Sequence, residues 1–134
     1  MVKEKKKILI VDDDSFLLDM YALKFSQNNF EVYTSISGVG AIEKLTGGLK
    51  PDIILMDIIM PEMDGFEMLE KMNALNLSLD SIKIVLSNKS EQGDIDRGNN
   101  LGISGYIVKA NSTPADVIDQ VTGILAKRTV IEKI

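Results

Sequence analysis

The chain has 134 residues, 45% of them hydrophobic, with no cysteine and no histidine. Without cysteine, a disulfide framework, thiolate metal ligands and a cysteine nucleophile are excluded; without histidine, so are a phosphohistidine of its own, a Ser-His triad and a histidine-ligated zinc. Fifteen basic against twenty acidic residues give a net charge of −5, which argues against sequence-independent binding to nucleic acid.

In chain order, Lys3, Lys5, Lys6 and Lys7 form a basic run that reads as a solvated chain start. A first strand is predicted from Lys7 to Val11, followed by Asp12, Asp13 and Asp14. Phe16, Met20 and Leu23 then repeat at helical spacing, with Asp14 or Ser15 as the cap. A second strand runs from Phe30 to Thr34, and a second helix carries Val39, Ile42 and Leu45 before Gly47-Gly48 ends it. Gly38 and Gly40 open that helix but lack the third glycine of a dinucleotide fingerprint.

Pro51 leads into a third strand, Ile53 to Asp57, and Asp64-Gly65 forms a turn at the start of a third helix with Phe66, Leu69 and Met72 inside. A fourth strand spans Ile82 to Ser87. The segment from Glu91 to Asn100 is the weakest helix, because Gly93, Gly98, Asn99 and Asn100 lower its propensity and an interior glycine costs about 1 kcal/mol relative to alanine. A fifth strand, Gly105 to Val108, ends at Lys109. Thr113 as cap and Pro114 at the first helical position open a last helix with Val117, Ile118, Val121 and Leu125.

Strands apolar on both faces, alternating with helices, give an α/β class with a parallel sheet covered on both sides. One domain is expected over 1–127, with 128–134 as an extension of the last helix, where Val130, Ile131 and Ile134 keep helical spacing, or as a frayed tail. No apolar stretch approaches the roughly 20 residues that span a bilayer, so a cytoplasmic protein without membrane contact is expected.

Ligands of open parallel sheets sit outside the carboxyl ends of the strands. Here those ends carry Asp12 and Asp13, Asp57, Ser87 and Lys109. Carboxylates this close repel one another, and a divalent cation held by oxygen ligands is the simplest way to hold them together.

Asp12, Asp13, Asp57, Ser87, Tyr106 and Lys109, with the turn Met60-Pro61-Glu62-Met63-Asp64-Gly65, resemble the response-regulator receiver domain of two-component signalling. The resemblance covers Lys7 to about Lys127. It implies a doubly wound, flavodoxin-like sheet in the strand order 2-1-3-4-5, the order found in chemotaxis receivers. It also implies that Asp57 accepts a phosphoryl group from a partner histidine kinase or histidine phosphotransfer protein. Mg²⁺ is then held by Asp12, Asp13, Asp57 and the backbone carbonyl at Ile59, while Lys109 and Ser87 contact phosphoryl oxygens.

Ser87 and Tyr106 are the implied switch pair, and the implied signalling face is helix 4, strand 5 and helix 5, where a protein target or a second copy binds. The chain is therefore expected to be a stand-alone phosphoacceptor without an output domain rather than an enzyme. The alternative is an interaction module that keeps the fold and is not phosphorylated. A dehalogenase-type phosphatase is disfavoured, because the position two residues after Asp57 is Ile59 rather than aspartate.

Two departures from the family bear on these expectations. Ala110 follows Lys109 where the family usually has proline, so the loop is either strained or trans with Lys109 displaced. Asn88 stands where a small residue is common and narrows access to Asp57. Ile59 and Lys89 line the path of an attacking water, and an apolar Ile59 predicts slow loss of the phosphoryl group.

Overall fold

The computed structural model describes residues 5–88 and 91–133, with side chains through Arg128. Lys3, Lys89 and Ile134 lie outside the described residues. The five apolar runs become β1 (Lys6–Val11), β2 (Phe30–Ser35), β3 (Ile53–Met56), β4 (Ile82–Ser87) and β5 (Gly105–Val108). They form one parallel sheet in the order β2-β1-β3-β4-β5. Strand ends agree with the sequence reading to within a residue, and Asp57 falls just beyond β3.

Between the strands run α1 (Ser15–Gln27), α2 (Gly38–Thr46), α3 (Gly65–Ala74) and α4 (Gln92–Asn100), and α5 (Pro114–Lys133) closes the chain. Because strand side chains alternate between faces, β1 sends Ile8 and Ile10 to one side and Leu9 and Val11 to the other. The first side packs Ile53, Leu55, Ile82 and Ile84 against α1 and α5 through Leu18, Tyr21, Phe25, Val117 and Val121. The second packs Ile54, Met56 and Val85 against α2 and α3 through Ile42, Leu45, Phe66, Met68, Leu69 and Met72. Among the described residues no helix is long and apolar enough to cross a membrane.

The register of α1 differs from its prediction. Phe16 is 76% exposed and Leu23 59%, whereas Leu18, Tyr21 and Phe25 are buried and Met20 packs partly buried against the same cluster. Two apolar stripes share this helix, and spacing alone cannot rank them. The Asp14 carboxylate caps the helix, accepting from the amides of Phe16 and Leu17 at 3.0 and 3.2 Å, and on the buried face Phe25 meets the Phe30 ring edge-on at 5.2 Å. In α2, Val39 likewise faces outward, while Ala41 joins Ile42 and Leu45 inside.

The other helix starts follow the expected chemistry. Asp64 and Glu67 form a reciprocal capping box on α3. On α5, the Thr113 hydroxyl accepts from the Asp116 amide at 3.1 Å and the Asp116 carboxylate accepts from the Thr113 amide at 2.9 Å. The glycine-rich α4 does form, yet it buries only Gly98, which sits against Ile103.

Candidate functional site

The parallel register brings the strand ends to one edge of the sheet. Val11 pairs with Met56, and the Asp57 amide donates to the Val11 carbonyl at 3.0 Å, so Asp57 sits beside the start of the Asp12–Asp14 turn. Asp12 is tied from the other side, its amide donating to the Ser35 carbonyl at 3.1 Å. Its Oδ1 accepts from the Asp14 amide at 3.0 Å. Asp12 and Asp57 are only 3% and 9% exposed, and Asp13 is exposed.

Lys109, delivered by the end of β5 and opening a short 3-10 turn over Lys109–Asn111, joins the two buried carboxylates. Its Nζ lies 2.7 Å from Asp12 Oδ2 and 2.9 Å from Asp57 Oδ2. There is no cis peptide bond among the described residues, so Ala110 follows a trans bond and Lys109 still reaches the aspartates.

The electrostatics follow from this packing. Burial pushes the Asp12 carboxyl above the ordinary aspartate range, and this outweighs the opposing bonds from Lys109 and the Asp14 amide. Burial works against the Lys109 ammonium, but its bonds to Asp12 and Asp57 win and hold it above an ordinary lysine.

One oxygen from each of Asp12, Asp13 and Asp57 lies within 4.8 Å of the others. Three converging carboxylate oxygens suit a hard divalent cation that keeps several waters, such as Mg²⁺. Among the described residues Lys109 is the cation bonded to this cluster, and one ammonium against three carboxylates leaves negative charge that a divalent cation would neutralise. The Ile59 amide donates to Asp57 Oδ1 at 3.2 Å, which folds the loop after β3 back over the carboxylate, and the Ile59 side chain is 56% exposed.

Ser87 ends β4 fully buried, opposite Val108 on β5. Tyr106 pairs with Val85 and packs, partly buried, on the side of the sheet that carries α2 and α3. Burial raises its phenol above an ordinary tyrosine, with smaller contributions from Asp94, Asp57 and Glu91. Asn88 is exposed just past Ser87.

Gly65 is a site residue that the sequence reading took only as part of a turn. A Cβ there would run into the Asp57 carbonyl oxygen and lie 2.9 Å from Ile58 Cα. Its amide donates to the Ile58 carbonyl at 2.8 Å, so the first residue of α3 rests directly on the backbone that carries Asp57. The Asp-Gly pair was the visible signal; the close approach came only from tertiary structure.

Residues 8–122 match the family described as the response regulator receiver domain. The chain is 31% identical over 120 residues to response regulator SaeR of Staphylococcus epidermidis, an alignment covering 90% of this chain and 50% of that protein. It is 30% identical over 122 residues to the alkaline phosphatase synthesis transcriptional regulatory protein PhoP of Bacillus subtilis, covering 91% of this chain and 49% of that one. The chain thus spans about half the length of the curated relatives it matches. A crystal structure of a CheY-like response regulator receiver domain protein from Methanospirillum hungatei superposes with a TM-score of 0.83 at 27% identity, over 93% of this chain and 97% of the other.

Proposed function

The chain belongs to the response regulator receiver family, and from that premise we propose that Asp57 accepts a phosphoryl group from a phosphohistidine of a partner kinase or phosphotransfer protein. The observation that carries this reading is the pairing of Lys109 with both Asp12 and Asp57 beside a third carboxylate. It gathers a nucleophile, a cation and a metal-binding donor set at one sheet edge.

Asp12, Asp13 and Asp57, with the Ile59 carbonyl, are the residues that would hold Mg²⁺. When bound, the ion neutralises phosphoryl oxygens and lowers the repulsion between two anions. In the transfer, an Asp57 carboxylate oxygen forms the new P–O bond, the donor's P–N bond breaks, and its imidazole leaves with a proton from solvent. Lys109 exchanges Asp57 for a phosphoryl oxygen and Ser87 donates a hydrogen bond to another, so charge is met by groups already held in place.

The aspartyl phosphate carries about −1.5 to −2 charge and three acceptor oxygens. Ser87 is drawn toward it, Tyr106 follows, and the face made by α4, β5 and α5 changes shape for a protein target or a second copy. The unit acts in the cytoplasm as a phosphoacceptor and not as a catalyst on external substrates. Its net charge of −5 favours a protein over a nucleic acid as the direct contact. What the longer relatives do with the rest of their chains is theirs.

The test is incubation with Mg²⁺ and acetyl phosphate, followed by peptide mass mapping. Acid-labile phosphate on the peptide containing Asp57, lost with Asp57→Asn and with chelation of the metal, supports the reading. Uptake that survives Asp57→Asn refutes it.

A further inference from the structure

α4 is the least anchored helix of the described structure. It buries only Gly98, has no side-chain hydrogen bond at its N-cap, and carries Gly93 with open space around it. A helix so thinly packed keeps its place through few contacts, and each one weighs heavily on its position.

Those contacts lead to one face of α3. Phe66, Glu70 and Asn73 follow one another at the i, i+4, i+7 spacing that aligns side chains along a helix. The Arg97 guanidinium carbon sits 4.5 Å from the centroid of the Phe66 ring, and its Nη2 is 3.0 Å from Glu70 Oε1. One turn on, Asn73 Nδ2 donates to the Leu101 carbonyl at 3.3 Å. Phe66 itself is 3% exposed, so the ring is a fixed seat and Arg97 is the movable part.

α3 is in turn set on the phosphoacceptor strand, because Gly65 donates to the Ile58 carbonyl and touches the Asp57 backbone. A continuous path runs from Asp57 through α3 to Arg97 and α4. Lys109 bonds directly to the Asp57 carboxylate, a contact that a phosphoryl group on Asp57 would interrupt.

We propose that Arg97 is a latch: seated on Phe66 and paired with Glu70, it holds α4 against α3 while Asp57 is a free carboxylate, and the phosphorylated form has α4 released from it. This rests on the phosphoacceptor reading above and adds the element that sets the switching threshold. An exposed ion pair and a cation–π contact together shift such an equilibrium by about fivefold.

The test measures the affinity of the whole chain for beryllofluoride with Mg²⁺, in wild type, Arg97→Ala, Glu70→Ala and the double variant, by fluorine NMR. Arg97→Ala, which loses both contacts, is expected to bind the phosphoryl mimic about fivefold more tightly, and Glu70→Ala, which loses only the ion pair, about twofold more tightly, with the double variant no tighter than Arg97→Ala. A mere change in net charge gives the two singles opposite signs, since one removes a cation and the other an anion. Opposite signs, or affinities equal to wild type, overturn the latch. A wild type that binds no beryllofluoride overturns the phosphoacceptor reading itself.

Discussion

Replacing Gly65 by alanine is expected to destabilise the fold by about 2 kcal/mol, within the range of overpacking substitutions, whereas the same replacement at Gly123 is expected to stabilise it by about 0.5–1 kcal/mol. The chemistry is identical and only the surroundings differ. At Gly65 the new methyl meets the Asp57 carbonyl and, at 2.9 Å, Ile58 Cα, against backbone that continues a central strand and cannot swing aside. Relief requires α3 to back away by several tenths of an ångström, stretching the Gly65–Ile58 hydrogen bond of 2.8 Å. At Gly123, inside α5, nothing lies within 4 Å of the added carbon, so the helix gains alanine's propensity without a clash. Urea denaturation of the two variants and wild type gives both values from one experiment. Since α3 carries the Asp57 backbone with it, Gly65→Ala should also slow phosphate uptake from acetyl phosphate. A Gly65→Ala protein within about 0.5 kcal/mol of wild type would refute the argument that this glycine is required by close approach, whatever Gly123→Ala does.

Other substitutions test other parts of the structure. Phe25→Ala should cost about 3–5 kcal/mol and Phe16→Ala less than about 0.5 kcal/mol; comparable losses in urea would mean that α1 is wrongly phased. Lys109→Met leaves Asp12 and Asp57 buried without their shared cation, so it should lower stability by about 2–4 kcal/mol, with part of the loss recovered in millimolar Mg²⁺ on thermal melts. Lys83 gives a pH signature. Its ammonium donates to the carbonyls of Ser78 and Ser81 at 2.9 and 3.3 Å, yet burial, aided by Arg128 and partly offset by Asp80, holds it below the ordinary lysine value of 10.5. A lysine with a lowered folded value contributes stability above 10.5 that is lost as pH falls through the folded value. Stability should therefore climb with pH just below 10.5 by more in wild type than in Lys83→Met. Subtracting the two curves removes the opposite trend from Lys109 and Tyr21, whose values are raised. Parallel curves would show that Lys83 titrates normally.

The strands were legible because each is a short β-branched run bounded by turn residues, and in a sheet covered on both faces no choice of face has to be made. Helices demand that choice. α1 offers Phe16 and Leu23 as readily as Leu18, Tyr21 and Phe25, and the docking of Phe25 on Phe30, visible only in the folded chain, shows which stripe goes inside. The site divides in the same way. Three aspartates at strand ends are visible as letters, because an acid straight after an apolar strand must lie at the sheet edge. Lys109 carried the doubt, since its reach depends on a loop whose usual proline is replaced by Ala110. The structure resolves this by geometry: a trans backbone and a short 3-10 turn still bring Nζ to 2.7 and 2.9 Å from two carboxylates.

Arg97 lay beyond sequence reading for a different reason. Its partners Phe66 and Glu70 are 31 and 27 residues away along the chain, and nothing local distinguishes it from any arginine on a polar helix. The same thin composition that made α4 look weak makes such a contact consequential. A helix with a full apolar face would be indifferent to one half-exposed ion pair, whose worth is at most about 1 kcal/mol. On a helix that buries a single glycine, that amount is comparable with everything else fixing its position. Strengthening α4 by Gly93→Ala would add propensity to the helix in either placement, so it should steady the helix without moving the affinity for a phosphoryl mimic. Arg97→Ala should move that affinity without unfolding the helix. Helix formation and helix placement are separate equilibria here, and only the second is coupled to Asp57.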